Sequence, residues 1–296
     1  MLPFSQPGTF WKGNLHGHSN RSDGGLPPEE VARRYREAGY DFMALTDHFL
    51  AAYEYPITDT RAFRTDGFTT IIGAELHSDQ TEFGDMWHLL AVGLPDDFAP
   101  PGNDESAAAM AARAREAGAY VAAAHPAWYG LTERDLEALG PVDAIEVFNG
   151  VAVDHNGHSD SWELTDIVLG RGHRYLVCAT DDFHGTAGRN DFQRGWVQVK
   201  CDALDPEQLL AALKLGHYYS STGPEIHHIE RTPENRLRLS CSPADRVFVT
   251  GKGPRAIALA GENRTEFEFD LSQFRSPYMR LTVRGPDGTC AWTNPF

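Results

Sequence analysis

A chain of 296 residues, 41% of them hydrophobic and with no apolar run of about 18 residues, describes a folded globular protein; it excludes a disordered chain or one that crosses a membrane by a helix. Its formal charge of -16 excludes the broad basic surface that nonspecific binding to nucleic acid or an anionic membrane requires. Cys178, Cys201, Cys241 and Cys290 have no Cys-Xaa-Xaa-Cys spacing, which excludes a thiolate zinc cluster, and with an N-terminus lacking a signal region they lead to the expectation of a soluble, unexported, cytoplasmic protein.

Residues 11–16 read as a first strand that runs into His16-Gly17-His18 and, after a turn, Asp23. Two histidines two apart in an extended segment project to one side and can bind one cation together. Pro27-Pro28-Glu29-Glu30 opens a helix closed at Gly39, with Val31, Ala32, Tyr35 and Ala38 at helical spacing on its covering face. The apolar strand 42–45 ends at Thr46-Asp47-His48, the strand 70–74 runs into Glu75, and the strand 87–92 carries His88. A helix is expected over 104–118, a strand over 119–124 stopping at His125, and a strand over 144–148 ending at Asn149-Gly150. A helix over 161–170 then leads to a strand over 175–179, which ends at Thr180-Asp181-Asp182-Phe183-His184.

Alternating strands and helices, with polar side chains at the carboxyl ends of the strands, describe an α/β parallel barrel whose active face is built from the loops after the strands. A strand over 196–199 and a helix over 206–216 complete this unit, residues 1–222. From Glu225 onward the pattern changes to short alternating strands over 236–240, 246–250, 256–259, 266–269 and 279–283. Residues 223–296 are therefore expected to form a small β-sandwich-like domain.

Collected from the strand ends, the candidate metal ligands are His16, His18, Asp23, His48, Glu75, His88, His125, Asp182 and His184. Imidazole and carboxylate without thiolate fit manganese, iron or zinc, and the set suits two to three divalent ions, with a glutamate able to bridge two of them within about 4 Å. Such ions turn water into a nucleophile at neutral pH. His77, His155, His158, His173, His217, His227 and His228 fall outside the pattern and read as ordinary surface or loop residues, with His155 and His158 in the loop after Asn149 on the expected active face.

The ordered motifs HGHSNRSDG, LTDH, GAE, WHL, AHP and DDFH, spread over residues 11–222, resemble the polymerase-and-histidinol-phosphatase (PHP) family of metal-dependent phosphoesterases. The surrounding wording, including GYDFMALTDH, AHPAWYG, IEVFNG, YYSSTGP and AWTNP, is similar to its carbaryl-hydrolase-like CehA/McbA branch. The resemblance implies a distorted seven-stranded (β/α) barrel and a β-rich C-terminal extension. It also implies roles: His16, His18, Glu75 and Asp182 on a first metal, with Glu75 bridging to a second held by His88 and His125. Asp23, His48 and His184 would hold a third. Asp181 competes with Asp182 for its role, and the family's Asp-Xaa-His spacing to His184 implies Asp182. Asp23 stands where some relatives carry histidine.

The expected activity is hydrolysis of a small-molecule phosphoester by metal-activated hydroxide, with no membrane or nucleic-acid partner. Hydrolysis of a carbamate, ester or amide by the same cluster is the alternative, and a noncatalytic metal-stabilised module is a third reading. Arg21 and either Arg189 or Arg194 are candidates for binding a phosphate. Asp47 is a candidate for positioning water or protonating a leaving group, or else for orienting His16 or His48. A phosphatase should place arginine or lysine over the metals, whereas a carbamate hydrolase should offer an apolar pocket from residues such as Trp128, Tyr129 and Phe148.

Overall fold

The computed structural model describes residues 2–296. Its elements in chain order are β1 (Thr9–Asn14), α1 (Pro28–Glu37), β2 (Phe42–Leu45), β3 (His48–Phe49), β4 (Thr69–Gln80), β5 (Met86–Val92), α2 (Ala107–Glu116), β6 (Tyr120–Ala123), α3 (Pro126–Tyr129), α4 (Glu133–Leu139) and β7 (Ala144–Asn149). There follow α5 (Ala152–His155), α6 (Trp162–Arg171), β8 (Leu176–Thr180), β9 (Trp196–Cys201), α7 (Pro206–Leu215), β10 (Tyr218–Ser221), β11 (Ile226–Arg231), β12 (Arg236–Gly251), β13 (Ala256–Asp270), β14 (Met279–Arg284) and β15 (Cys290–Thr293). Among the described residues no helix is long and apolar enough to cross a membrane.

Local chemistry accounts for the helix ends. Proline and two glutamates occupy the first turn of α1 while Arg34 and Arg36 occupy its last, complementing the helix dipole. Ser106 caps α2, Asp205 caps α7, and Thr132 with Asp135 forms a reciprocal capping box on α4.

All fifteen strands join one mixed sheet, in the order β11-β12-β14-β15-β10-β9-β1-β2-β4-β5-β6-β7-β8, with β13 paired to β12 and β3 to β4. The hydrogen-bonded path is open, so the ladder is not the closed parallel barrel expected. Pairs β1/β2, β2/β4, β6/β7 and β7/β8 are parallel, while β4/β5, β5/β6 and β1/β9 are antiparallel. The physical reason at β5 is chain length: residues 81–85 join β4 to β5, and a parallel crossover needs a dozen or more. The path nevertheless curls. Leu90 of β5, Cys178 of β8, Val197 of β9 and Phe42 of β2 share one apolar cluster, and a single parallel bridge, Gly17 to Phe183, joins the segment after β1 to the segment after β8. Along β5 the alternation divides the chain between two cores, Leu89 and Ala91 on one side and Leu90 and Val92 on the other.

The tail differs from expectation in its connections. Strands foreseen over 236–240 and 246–250 are one strand, β12, and those over 256–259 and 266–269 are one strand, β13. Pro243 lacks an amide hydrogen and falls where the β12/β13 register shifts, and opposite it Glu262 and Asn263 take positive φ, so pairing resumes after a bulge. The C-terminal strands have their own apolar cluster, including Leu237, Leu239, Val247, Phe269, Leu281 and Val283. Their ladder continues the main sheet: β15 pairs with both β14 and β10, which leads into β9 and β1.

Candidate metal centre

Two backbone seams converge where β1, β2 and β8 end. His18 N donates to Phe183 O and Phe183 N to His16 O, while Thr46 N donates to Gly17 O and Gly17 N to Thr46 Oγ1. This stitching holds His16 and His18 rigidly at the strand ends, and both are fully buried. The loop that follows folds back tightly enough that a Cβ on Gly24 would lie 2.8 Å from the His18 backbone. Asp23 is thereby returned beside His48 and His184, with His48 Nε2 3.4 Å from Oδ1 and His184 Nε2 3.3 Å from Oδ2.

Glu75, fully buried near the end of the apolar part of β4, is the hub. Its Oε1 lies 2.9 Å from His88 Nδ1, 3.1 Å from His125 Nε2 and 3.6 Å from His16 Nε2. Its Oε2 lies 2.7 Å from His48 Nδ1 and 3.6 Å from His18 Nε2. Asp182 Oδ1 completes the other side, 3.2 Å from His16 Nε2 and 3.1 Å from His18 Nε2. All nine residues singled out from the sequence are thus brought together, and they overlap in four groups able to hold a cation.

Asp182, not Asp181, faces this cluster. Asp182 takes a positive φ of 52°, which turns consecutive carboxylates in different directions. Asp181 instead accepts from Tyr35 Oη and the amides of Gln193, Arg194 and Gly195, and burial pushes it up to about 6. His125 also has positive φ, at 29°, so two cluster residues sit in sparsely populated backbone geometry that the surroundings must enforce.

The charges are mutually dependent. Burial raises Glu75, but His88, His48 and His16 outweigh it and hold the carboxyl well below its ordinary range. Asp182 behaves alike, with His16, His18 and His184 overcoming burial. Burial and the neighbouring His184 and His48 lower His18 to about 4, and burial and neighbouring histidines also lower His77 and His88. Imidazole offers a lone pair only in its neutral form; His16, His48 and His184 are raised, burial being outweighed by the carboxylates beside them, so these rings would release a proton on binding a cation.

The donor set fits divalent cations. Five buried side-chain atoms of this cluster, His16 Nε2, His18 Nδ1, Glu75 Oε2, His77 Nδ1 and His125 Nδ1, lack a well-aligned hydrogen bond. Orphaned buried polar atoms are costly unless something pairs with them. The separations of 3.1–3.6 Å from His16 and His18 to Glu75 and Asp182 match the roughly 3.4 Å edge of a tetrahedron with bonds of about 2.1 Å.

Several functional neighbours escaped the sequence reading. Glu146 is fully buried in β7; Oε1 accepts from Thr180 Oγ1 and lies 2.9 Å from His16 Nδ1, while Oε2 accepts from His125 N at 2.7 Å and Asn149 Nδ2 at 3.0 Å. It therefore fixes the ring that presents His16 Nε2 inward. Asn149 also donates to Asp182 Oδ2 at 3.0 Å. A lone carboxylate in an otherwise apolar strand was the available signal. His77, read as an ordinary histidine, is 3% exposed and lies 2.9 Å from His48 through Nε2. Its signal was the Glu75-Xaa-His77 spacing, identical to that of His16 and His18.

The acid/base and substrate candidates are placed less simply. Asp47 accepts from Ser19 N, Ser19 Oγ, Ser22 Oγ and Thr58 Oγ1, so it staples the loop carrying Asp23 rather than orienting His16 or His48. Arg21 is exposed in a cleft with Tyr53, whose ring stacks 6.2 Å from His48. Arg194 is engaged through its backbone amide, and its Cβ crowds Gly150. Arg189 is exposed and is felt at the cluster: His184 is raised, with burial opposing and Asp182 and Asp23 prevailing, while Arg189 pulls it down. Trp128 and Tyr129 flank His125, and Tyr129 Oη lies 3.1 Å from His88 Nε2. Trp128 also stacks on exposed His155 at 4.9 Å. Phe148 does not join this wall, since it packs on Trp292 in the core.

No family model matches the chain, and no curated protein does. Solved structures do. A two-domain protein from Bacteroides vulgatus ATCC 8482, named by prediction as containing a PHP-like metal-dependent phosphoesterase, aligns with a TM-score of 0.54 and 17% identity over 100% of this chain and 98% of its own. A protein from Bifidobacterium adolescentis ATCC 15703, whose name proposes a metal-dependent phosphoesterase, gives 0.45 and 17% over 67% of this chain and 95% of its own. An amidohydrolase from Chromobacterium violaceum, solved with sulfate and no metal, gives 0.44 and 17% over 58% and 87%. The first likeness is one of fold, and it extends through the C-terminal strands.

Proposed function

We propose that this chain is a PHP-like metal-dependent hydrolase that cleaves phosphoesters. The observation that carries the reading is the convergence of nine imidazole and carboxylate side chains from six strands and the segments after them into overlapping groups, with buried donor atoms left unpaired. The unit of residues 1–222 supplies every one of these residues, and residues 223–296 buttress it as a second unit. His16, His18, Glu75 and Asp182 would hold one ion, Glu75, His88 and His125 a second, and Asp23, His48 and His184 a third. Two to three divalent ions of manganese, iron or zinc type suit these donors. When bound, such ions supply Lewis acidity toward the scissile group and toward water.

The chain's own residues prepare this chemistry. Glu146 and Asn149 keep His16 and Asp182 aimed inward. Burial together with Glu75 and Asp182 pushes Tyr129 up to about 12, so its phenol keeps its proton and can donate a hydrogen bond at the rim. Arg21 and either Arg189 or Arg194 are the candidate cations for a phosphate, and the charge of Arg189 already reaches His184. The aromatic wall of Trp128, Tyr129 and His155 favours a second reading, hydrolysis of a carbamate, ester or amide with an apolar group against that wall.

The test is the initial hydrolysis rate of manganese-, iron- and zinc-loaded protein on parallel phosphoester and carbamate or ester panels, with His125→Ala as the blank. Turnover of phosphoesters, lost in the blank, is the expected result. Turnover confined to carbamates or esters would replace it with the second reading, and no turnover above the blank on either panel would leave a noncatalytic metal-stabilised module.

A further inference from the structure

Strand β4 is flanked by a histidine on each side at two successive rungs. The parallel register with β3 sets His48 beside Glu75, and the antiparallel register with β5 sets His88 beside His77. Glu75 and His77 are two apart on one strand and so face the same way. Four potential ligands from three adjacent strands are thereby aimed at one point, with the chosen donor atoms all within 4.8 Å of one another.

The distances within this group suit a cation. His48 Nδ1 lies 2.7 Å from Glu75 Oε2 and 2.9 Å from His77 Nε2, and His77 Nε2 lies 3.9 Å from Glu75 Oε2. Their spread brackets the roughly 3.4 Å separation of ligands in a tetrahedral site. Glu75 Oε2 is fully buried and has no well-aligned hydrogen bond although His48 Nδ1 and His77 Nε2 are its neighbours. A buried carboxylate oxygen ringed by imidazoles without an aligned donor is the arrangement a cation would satisfy.

Resting on the reading of this centre as a metal site, we infer that His48, Glu75, His77 and His88 form a further cation seat in which His77 is a direct ligand. The seat shares Glu75 and His88 with the His125 set and competes with the Asp23 and His184 set for His48. A neutral imidazole has one lone pair, and His48 turns Nδ1 toward Glu75 and His77 but Nε2 toward Asp23. When Nδ1 serves the seat, the Nε2 hydrogen donates to Asp23; when Nε2 serves the Asp23 and His184 set, the Nδ1 hydrogen turns to His77. The occupancy of one seat thus sets which nitrogen of His48 is free for the other.

The test uses the full chain, stripped with a chelator and titrated with zinc or cobalt(II) alone. His77→Gln keeps a polar group against His48 but removes the imidazole, and the expected result is at least a tenfold weaker zinc affinity for one equivalent, read by competition with a chromophoric chelator. His77→Cys is the positive counterpart. Cobalt(II) in this variant should show a near-ultraviolet thiolate-to-metal charge-transfer band that the wild-type chain lacks, a signature that a residue only bonded to His48 would not produce. Unchanged zinc affinity in His77→Gln, or a folded His77→Cys chain without the band, would overturn the inference and leave His77 as a hydrogen-bond partner of His48. A wild-type chain that takes up no zinc or cobalt at all would overturn the metal reading itself.

Discussion

Strands β4 and β12 are both long and belong to the same sheet, but they bury their side chains in different ways. In β4 the nine residues Thr69–His77 are all buried, so Glu75 and His77 are enclosed as fully as Ile71 and Leu76. In β12 the pattern alternates: Leu237, Leu239, Cys241, Val247 and Val249 face the C-terminal core, while Arg236 and Arg238 face outward to Glu268. The first region thus spends interior positions on polar groups that satisfy one another only in part. The second fills its interior with apolar groups and leaves charge in water. The difference teaches that the strands before residue 202 carry the polar cluster on top of their own apolar cores, whereas the C-terminal strands contribute apolar burial, at about 25 cal/mol per Å², with no such costly polar interior.

Disturbing the hub of the first region should break this contrast most severely. Glu75→Gln removes the carboxylate that lies within 4 Å of six histidine rings, and it should lower hydrolysis and divalent-metal uptake by more than about 100-fold, since loss of mere neighbours of ligands costs about 10–100-fold. Metal analysis and steady-state rates check this, and retained tight binding of all ions would count against Glu75 as the bridge. Chelation of the wild-type chain sharpens the same comparison: hydrogen exchange should rise in β4–β8 and stay slow in β12–β14, and uniform exchange would mean that the two regions unfold as one.

Glu146→Gln should have a smaller effect, about 10–100-fold in metal affinity, because its amide nitrogen must face donors now satisfied by a carboxylate. Competition with a chelator measures it. Next comes the clamp between the regions. Arg280 of β14 is nearly buried, reaches Asp166 of α6 by two hydrogen bonds of 2.9 and 2.7 Å and lies 3.8 Å over the Trp162 ring. Arg280→Ala should cost about 3 kcal/mol in urea unfolding while the folded protein keeps its specific activity. A matching fall in activity would show that the C-terminal strands shape the site. The smallest effect is expected from Glu268→Ala, whose pairs with Arg236 and Arg238 are in solvent, and a thermal melt should not move measurably.

How much of this was legible depended on range along the chain. His16 with His18, and the ends of β2, β6 and β8, could be read because a two-residue period and a strand-end position are local facts. His77 carries the same period beside Glu75, but its partner His48 is 29 residues away in sequence, and that contact is not a local fact. Glu146 gave a local sign, a charge in an apolar strand, but not its partners. Asp47 stands beside His48 in sequence, but its hydrogen-bond partners Ser19, Ser22 and Thr58 come from other segments and leave no local sign.

From the sequence alone followed the main strands and helices up to residue 216, the nine candidate ligand residues and the change of pattern near residue 225, because hydrophobic period, helix caps and turn residues act over a few residues. The separate employment of Asp181 by Tyr35 and the amides of residues 193–195, the inclusion of His77 and Glu146, the open mixed sheet and the joining of β15 to both β10 and β14 were decided only in tertiary structure. Those outcomes depend on backbone handedness at single residues and on register between strands distant in sequence, and neither leaves a periodic trace in the chain.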